Sequence, residues 1–443
     1  MLKFRSFRGG IHPQDSRITA SKAIEKAKLP ASVIILLHQH VGAPCKPLVK
    51  EGDKVKAGQK IGDSDSFVSA PVHSSISGVV KEISTQLSPT GSEVLGIIIE
   101  SDGRDESAKM EAIAPETASK QEIVGRIRES GIVGLGGEAF PTSVKLSPPE
   151  GKGIDTVILN GSECEPYITS DHRLMLEQPD KIIKGLKVIL KVLDVDKGFI
   201  GIEDNKADAI ERMRNAVEKE GVRGIRVVPL KTKYPQGEEG ILIRTILNRE
   251  IPSGGYSHDI GVIVQNVSTA KAIYDAVYEG IPLIERVVTV TGDVKEPKNL
   301  LVRIGASFHE LIEECGGFRG DGEVGKILSG GSMRGIAQYK DVPVVKGTRC
   351  ILVLDREKSR LPEEQECTNC GTCVEACPIG LMPTVLGKLA RKKRFEDCVE
   401  YHILDCVECG SCTYVCPSKI PLVQLITYGK EEIKIKRERD KNA

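Results

Sequence analysis

The sequence predicts a multidomain α/β protein: a β-rich N-terminal unit, a parallel α/β unit, a small mixed β unit and an α-helical cysteine module. Three observations carry that prediction. Short strand-and-turn signals fill residues 1–105, helix and strand periods alternate over 122–280, and nine of the thirteen cysteines fall between Cys367 and Cys416. A chain of 443 residues accommodates several domains of roughly 150 residues each.

Residues 1–105 read as a β domain because Val49-Lys50-Glu51-Gly52-Asp53-Lys54-Val55 and Ile76-Ser77-Gly78-Val79-Val80 alternate β-formers with turn residues. Residues 106–121, polar and interrupted by Pro115, read as a linker. Within 122–280, helical signals cover 122–130, 180–193, 206–220, 238–248 and 268–278, and apolar strands cover 156–159, 199–202, 224–228 and 261–264. Such alternation implies a largely parallel, Rossmann-like sheet with helices on its faces and ligands at the carboxyl ends of its strands. Residues 281–345 return to short strands around one helix near 307–315, punctuated by Gly316, Gly317, Gly330 and Gly331. The cysteine module occupies 346–417. The tail, 418–443, mixes charges of both signs and reads as a solvated helix.

Lys+Arg and Asp+Glu both number 62, a balance that excludes a global nucleic-acid footprint. The opening Met1-Leu2-Lys3-Phe4-Arg5 runs into polar sequence and does not read as a secretory signal. No apolar run approaches the ~20 residues needed to span a bilayer. The expectation is a soluble chain, or one held at a membrane by partners.

Cys367, Cys370, Cys373 and Cys377 precede Pro378, and Cys406, Cys409, Cys412 and Cys416 precede Pro417. Both runs are C-x2-C-x2-C-x3-C-P, the bacterial ferredoxin spacing for [4Fe-4S] clusters, in which the fourth cysteine serves the other cluster. The expected sets are therefore Cys367, Cys370, Cys373 and Cys416, and Cys406, Cys409, Cys412 and Cys377. Zinc takes separated C-x2-C pairs instead, and a doubled four-cysteine run does not match that pattern. Cys45, Cys315, Cys350 and Cys398 fit neither run and read as packed or free thiols. Two clusters in one small module suit the passage of single electrons.

A second signal is the glycine-rich stretch Gly131-Ile132-Val133-Gly134-Leu135-Gly136-Gly137-Glu138-Ala139-Phe140-Pro141-Thr142-Ser143-Val144-Lys145. Glycines let backbone N–H groups approach phosphate, and a lysine adds charge. Further on stand Asn160-Gly161-Ser162-Glu163-Cys164-Glu165-Pro166, Tyr234-Pro235-Gln236-Gly237-Glu238-Glu239 and Gln265-Asn266-Val267-Ser268-Thr269. These motifs are expected to leave strand ends. Taken in order, the four resemble those of the flavoprotein subunit of respiratory complex I. The N-terminal unit resembles the barrel-sandwich fold of lipoyl and biotinyl carriers, but Asp63-Ser64-Asp65-Ser66-Phe67 lacks their modified lysine and reads as structural. The whole succession, with Phe7-Arg8-Gly9-Gly10-Ile11-His12-Pro13 and Gly42-Ala43-Pro44, resembles the RnfC family. Its members belong to the Rnf complex, a bacterial ion-translocating ferredoxin–NAD oxidoreductase.

That resemblance implies a barrel-sandwich domain, a flavin domain, a β-grasp SLBB domain at 281–345 and a double-cluster ferredoxin module. It implies that Gly134, Gly136, Gly137 and Lys145 hold the FMN phosphate, with Thr142 also among the cofactor-binding residues. Asn160, Glu163, Tyr234, Glu238 and Asn266 would line the flavin, Phe140 would stack on the nucleotide, and Glu165 and Glu239 would face NADH. No acid–base residue is implied at the hydride step. Partners would be the other subunits of the membrane complex, NAD(H) and, indirectly, ferredoxin, with the chain peripheral on the cytoplasmic face of the cell membrane. Leu135, Glu138-Ala139 and Ser162 depart from the complex I motifs, where arginine, Ala-Gly and aspartate stand. A microcompartment cobalamin reductase shares the later domains, and a flavin-free iron–sulfur scaffold also fits the cysteine runs.

Overall fold

A computed structural model of the chain describes residues 5–319 and 324–442. Met1-Leu2-Lys3-Phe4, part of the N-terminus that does not read as a secretory signal, lies outside the described residues.

The N-terminal unit is a sandwich of two sheets. One is antiparallel, pairing Ser32–Leu36, Glu93–Ser101, Gly78–Leu87 and Lys54–Val55; the other pairs Lys46–Pro47, Lys60–Asp63 and Val72–His73. Val33, Ile35, Ile97 and Ile99 bury alternate positions of neighbouring strands, as the two-residue period of a strand requires. The stretch that lacks a carrier lysine is held in place: Arg128 donates to Asp63 at 3.0 Å and to the Ser64 carbonyl at 2.8 Å.

The α/β unit holds a four-stranded, wholly parallel sheet in the order Ile225–Leu230, Gly198–Glu203, Thr156–Asn160, Val262–Asn266. Helices cover both faces, so the strands read as continuous apolar runs. On one face, Gly185 of helix Pro179–Leu193 meets Val267–Tyr278 so closely that any Cβ would collide with the Ala270 carbonyl. On the other, Leu242 and Ile246 of Glu239–Leu247 pack over the sheet with Ile158 and Leu230. Helix Lys120–Glu129 begins with a reciprocal Ser119/Glu122 capping box. Three of the four motifs leave strand ends. The glycine-rich loop is the exception and follows helix Lys120–Glu129 instead, because the chain enters the sheet only at Thr156.

One helix, Ser170–Glu177, has no counterpart among the periodic signals. Its first N–H groups are satisfied by the Glu163 carboxylate, which accepts from Asp171 at 2.6 Å and His172 at 2.9 Å. That cap comes from outside the local window in which capping residues are sought.

The small β unit is a mixed six-stranded sheet that reaches beyond residues 281–345. Ile24–Lys26 covers its edge, parallel to Lys298–Arg303, and Cys350–Asp355 lies centrally between Glu285–Gly292 and Val324–Ser329. Cys350–Asp355 carries four successive buried positions, the pattern of an interior strand. In the cysteine module, short helices Thr372–Glu375 and Ser411–Tyr414 repeat the same geometry: Asn369 and Glu408 both have positive φ (54° and 52°), as do Gly371 and Gly410 (79° and 77°). The tail forms one helix, Leu422–Asn442, that packs on Pro383–Arg391.

Three units meet at Lys346. This fully buried side chain donates at 2.7 Å to the carbonyls of Pro71, in the sandwich, and Gly131, at the head of the glycine-rich loop. Its backbone N–H donates to Gln39. Burial, reinforced by Lys346, pushes His40 down to about 4 and His73 down to about 3 from an ordinary 6.5. An unfolded chain takes up these protons as pH falls through 6.5, whereas the folded chain refuses them until near 4. Stability should therefore fall on acidification across that window, by about 1.4 kcal/mol per pH unit for each imidazole. Urea unfolding at pH 7.5, 6 and 5 measures the slope, and His40→Gln should flatten it; an unchanged slope in that variant would remove the assignment.

Candidate functional site

Hydrogen bonds between the four motifs build one cleft. Asn160 donates to the Gly237 carbonyl at 2.7 Å and accepts from Ser162 at 3.1 Å, joining the second motif to the third. Thr269 of the fourth accepts from the Leu135 N–H of the first at 2.9 Å. Lys145 pairs with Glu239 at 2.9 Å. Two of these side chains also do local work: Glu238 caps Glu239–Leu247 and Asn266 caps Val267–Tyr278. Capping and site-building are the same act here, because both helices begin at the carboxyl end of the sheet.

Beneath the cleft lies a buried charge network. Arg349 pairs with Asp171 at 2.9 Å and donates to the Gly136 carbonyl at 3.1 Å, tying the glycine-rich loop to the small β sheet. Asp171 also accepts from Asn266 at 2.8 Å and Ser268 at 2.5 Å. Burial works against the Arg349 charge, but Asp171 and Glu163 keep its pKa above the ordinary value. Burial raises Glu163, and neighbouring Asp171 adds to the effect against Arg349 and Lys206. Lys206, itself fully buried, donates to the Ser162 carbonyl at 2.6 Å and pairs with Glu203 at 3.2 Å.

The resulting cleft has a volume of about 580 Å³, in the range of small-molecule sites. Gly134, Gly136, Gly137, Phe140, Lys145, Asn160, Glu163, Glu165, Tyr234, Glu238, Glu239 and Asn266 all line it. Thr142 does not: it is buried beneath the loop, where its N–H donates to Ile132. Gly137, at φ +128°, has open space where a side chain would stand, and Glu165 Oε1 is buried without a partner among the described residues. A bare glycine backbone fits the approach of a phosphate, and an unsatisfied carboxylate acceptor fits a donor such as a ribose hydroxyl. Asp171, Arg334 and Arg349 line this site, Lys206 supports it from beneath, and all four lie outside every motif read from the sequence. Only Lys206, just past a parallel strand, carries a positional signal.

The expected cysteine sets are neighbours in space, although among the described residues no three of them stand together as a metal-holding group. Cys373 lies within electrostatic reach of Cys370 and Cys416, Cys367 of Cys370, Cys409 of Cys377, and Cys412 of Cys409 and Cys406. All thirteen cysteines are free thiols, and Cys45, Cys315, Cys350 and Cys398 are buried. N–H groups of Leu381 and Glu408 point at Cys377 and Cys406 sulfur at 3.3 and 3.4 Å. Burial pushes Cys406 up to about 11 and Cys412 up to about 12, so these sulfurs need a positive metal core to become thiolates. An all-sulfur donor set with N–H support fits iron–sulfur clusters.

The cleft and the second centre share a wall. Tyr234, lining the cleft, donates its hydroxyl to the Cys409 carbonyl at 2.7 Å, and Cys164 and Met333 pack in the same apolar group. The N-terminal Gly9-Gly10 segment closes this seam. Gly10 donates to the Ala376 carbonyl and Ile11 exchanges two bonds with Tyr234, while a Cβ on Gly9 would strike the Cys377 carbonyl.

Removing the central cation should collapse the site. Arg349→Gln leaves Asp171 buried without its counter-charge, an expected loss of about 3–5 kcal/mol. Melting temperature and flavin absorbance of the purified variant should both drop; wild-type flavin content would show that the pair does not hold the loop.

Comparison with known proteins agrees with this geometry. Four family descriptions match in order: the RnfC barrel sandwich hybrid domain over residues 5–104, the Nuo51 FMN-binding domain over 127–275, the SLBB domain over 287–337 and a 4Fe-4S dicluster domain over 366–420. The chain is 50% identical to the C subunit of the proton-translocating ferredoxin:NAD(+) oxidoreductase complex of Clostridium ljungdahlii, covering 100% of this chain and 96% of that relative. It is 45% identical to the C subunit of the Na(+)-translocating complex of Acetobacterium woodii, covering 98% of each. It is 39% identical to the C subunit of the ion-translocating oxidoreductase complex of Rhodobacter capsulatus, covering 99% of this chain and 85% of that one. An NAD+-reducing [NiFe]-hydrogenase in the H2-reduced state superposes with a TM-score of 0.50 at 17% identity, over 70% of this chain and 61% of that one, a likeness of fold alone. The chain belongs to the RnfC family, the C subunits of ion-translocating ferredoxin:NAD(+) oxidoreductase complexes, with an FMN-binding domain and a 4Fe-4S dicluster domain.

Proposed function

We propose that this chain is the NAD(H)-facing unit of a ferredoxin:NAD(+) oxidoreductase complex, exchanging electrons between a dinucleotide in the cleft and a partner near the exposed Cys370. The observation that carries this reading is the seam at Tyr234, where one side chain lines the cleft and bonds the backbone of a cluster cysteine. FMN, when bound, supplies the conversion between hydride-pair and single-electron exchange.

The chain's own residues do the rest. Backbone N–H groups of Gly136 and Gly137 would hold the flavin phosphate, while Gly134, whose N–H donates to the Phe140 carbonyl at 2.8 Å, shapes the loop, which Arg349 fixes from below. Lys145, already neutralised by Glu239, contributes less net charge to that phosphate than the motif alone suggests. Asn160, Glu163, Glu238 and Asn266 set the cleft's shape, Phe140 presents a ring, and Glu165 and Glu239 border the dinucleotide. Cys367, Cys370, Cys373 and Cys416 would hold one cluster, and Cys406, Cys409, Cys412 and Cys377 the other. The second set is the more buried and adjoins the cleft; the first includes exposed Cys370 and suits exchange with a partner. Partners would be the remaining subunits, at the cytoplasmic face of the cell membrane, with ferredoxin reached through them. Among the described residues no helix is long and apolar enough to cross a membrane.

Chain prepared without oxygen and loaded with FMN should carry about eight irons and reduce a one-electron dye with NADH. A colourless, zinc-loaded product that NADH leaves unchanged would end this reading. Tyr234→Phe leaves the buried Cys409 carbonyl without its hydroxyl donor, expected to cost about 1–3 kcal/mol. Electron paramagnetic resonance of the reduced variant should show one cluster signal altered and the other intact; two equally shifted signals would contradict the proposed cluster order.

A further inference from the structure

Residues 330–335, Gly-Gly-Ser-Met-Arg-Gly, connect strands Val324–Ser329 and Ile336–Gln338 of the small β unit and lean into the cleft. The glycines make this approach possible. Gly330 sits at φ +109°, a Cβ on Gly331 would collide with the Glu165 carboxylate, and one on Gly335 would collide with the Gly331 carbonyl. The loop is fixed on two sides. Met333 donates its N–H to Glu165 at 3.2 Å, and its side chain packs with Tyr234, Cys164 and Cys409.

Immediately after Met333, Arg334 stands at the cleft, exposed to solvent. Glu138, Glu165 and Glu238 act on it electrostatically, yet among the described residues none makes an ion pair with it and its guanidinium donates no hydrogen bond. The other two lysine or arginine side chains of the cleft are engaged: Lys145 by Glu239 and Arg349 by Asp171. The cleft is otherwise rich in carboxylates, which repel an anionic ligand. A phosphorylated ligand entering it needs a cation with unused donors, and a guanidinium matches phosphate oxygens two at a time.

We propose that Arg334 binds the pyrophosphate of the nicotinamide dinucleotide, so that the small β unit completes the substrate site. The inference rests on the reading of the cleft as a dinucleotide site. The same phosphate chemistry is offered by the flavin, whose cradle is the glycine-rich loop of a different unit; the dinucleotide is the ligand left for Arg334.

The test uses the FMN-loaded full chain and ADP-ribose, which carries the pyrophosphate but no redox group, titrated by calorimetry. Arg334→Gln should weaken ADP-ribose binding by about tenfold or more, the scale of a lost charge-assisted bond, with flavin content and melting temperature retained. Arg334→Lys should recover part of the affinity, and the salt dependence of binding should be shallower in Arg334→Gln. With NADH as substrate, the loss should fall on KM rather than kcat. Wild-type affinity for ADP-ribose in Arg334→Gln overturns the inference. Loss of flavin with ADP-ribose binding intact reassigns the side chain to the flavin phosphate and overturns it as well. If the wild-type chain binds neither ADP-ribose nor NADH, the dinucleotide reading of the cleft fails first and takes this inference with it.

Discussion

The architecture of the cleft depends on one buried ion pair, Arg349 with Asp171. Charges removed from water are tolerated only when paired and hydrogen-bonded, and this pair recruits partners from every side. Asp171 takes donors from Asn266 and Ser268, Arg349 reaches the Gly136 carbonyl, and Glu163 caps the helix on which Asp171 sits. Satisfying these groups together admits few arrangements. The glycine-rich loop, a segment with little side-chain packing of its own, is thereby set in one place relative to the ends of two helices and a strand of another sheet.

A second constraint joins the cleft to the cysteine module. The N-terminal segment passes between them and bonds both, Gly10 to Ala376 and Ile11 to Tyr234. Electron exchange requires close and constant spacing, and a segment that bonds both flanking units helps to hold it. The two cysteine runs, alike in backbone, differ in surroundings. One includes exposed Cys370 and the hydroxyl of Thr372 at 3.2 Å from its sulfur, while the other is walled by Tyr234, Cys164 and Met333. Burial and hydrogen bonds to sulfur are the levers that set cluster potentials, so one repeated sequence pattern yields two unlike sites.

The three departures from the complex I motifs have structural accommodations. Ala139 adopts a left-handed φ of 53°, a conformation that favours glycine, and its carbonyl accepts from Val41 of the sandwich at 3.3 Å. Leu135 is buried, and cations from beyond the motif reach the loop: Arg349 at the Gly136 carbonyl and Arg286 at the Leu135 carbonyl. Ser162 leaves its hydroxyl without a partner among the described residues, but its carbonyl accepts from the buried Lys206. The domains around the motif thus supply what the loop itself lacks.

Much of this protein was legible in its sequence, because the relevant rules are local. Cysteine spacing marks the 4Fe-4S dicluster domain, and apolar periodicity places the parallel strands and the helices around them to within a residue or two. Tertiary structure alone decided the rest. It paired Arg349 with Asp171, brought Lys206 under Ser162, drew Ile24–Lys26 and Cys350–Asp355 into the small β sheet, and set Arg334 over the cleft. Thr142, in contrast, sits under the loop and not in the cleft. Partners such as Arg349 and Asp171, far apart along the chain, share no spacing or periodicity. What brings them together is the requirement that buried charges and backbone groups all find partners, which only the folded arrangement can meet.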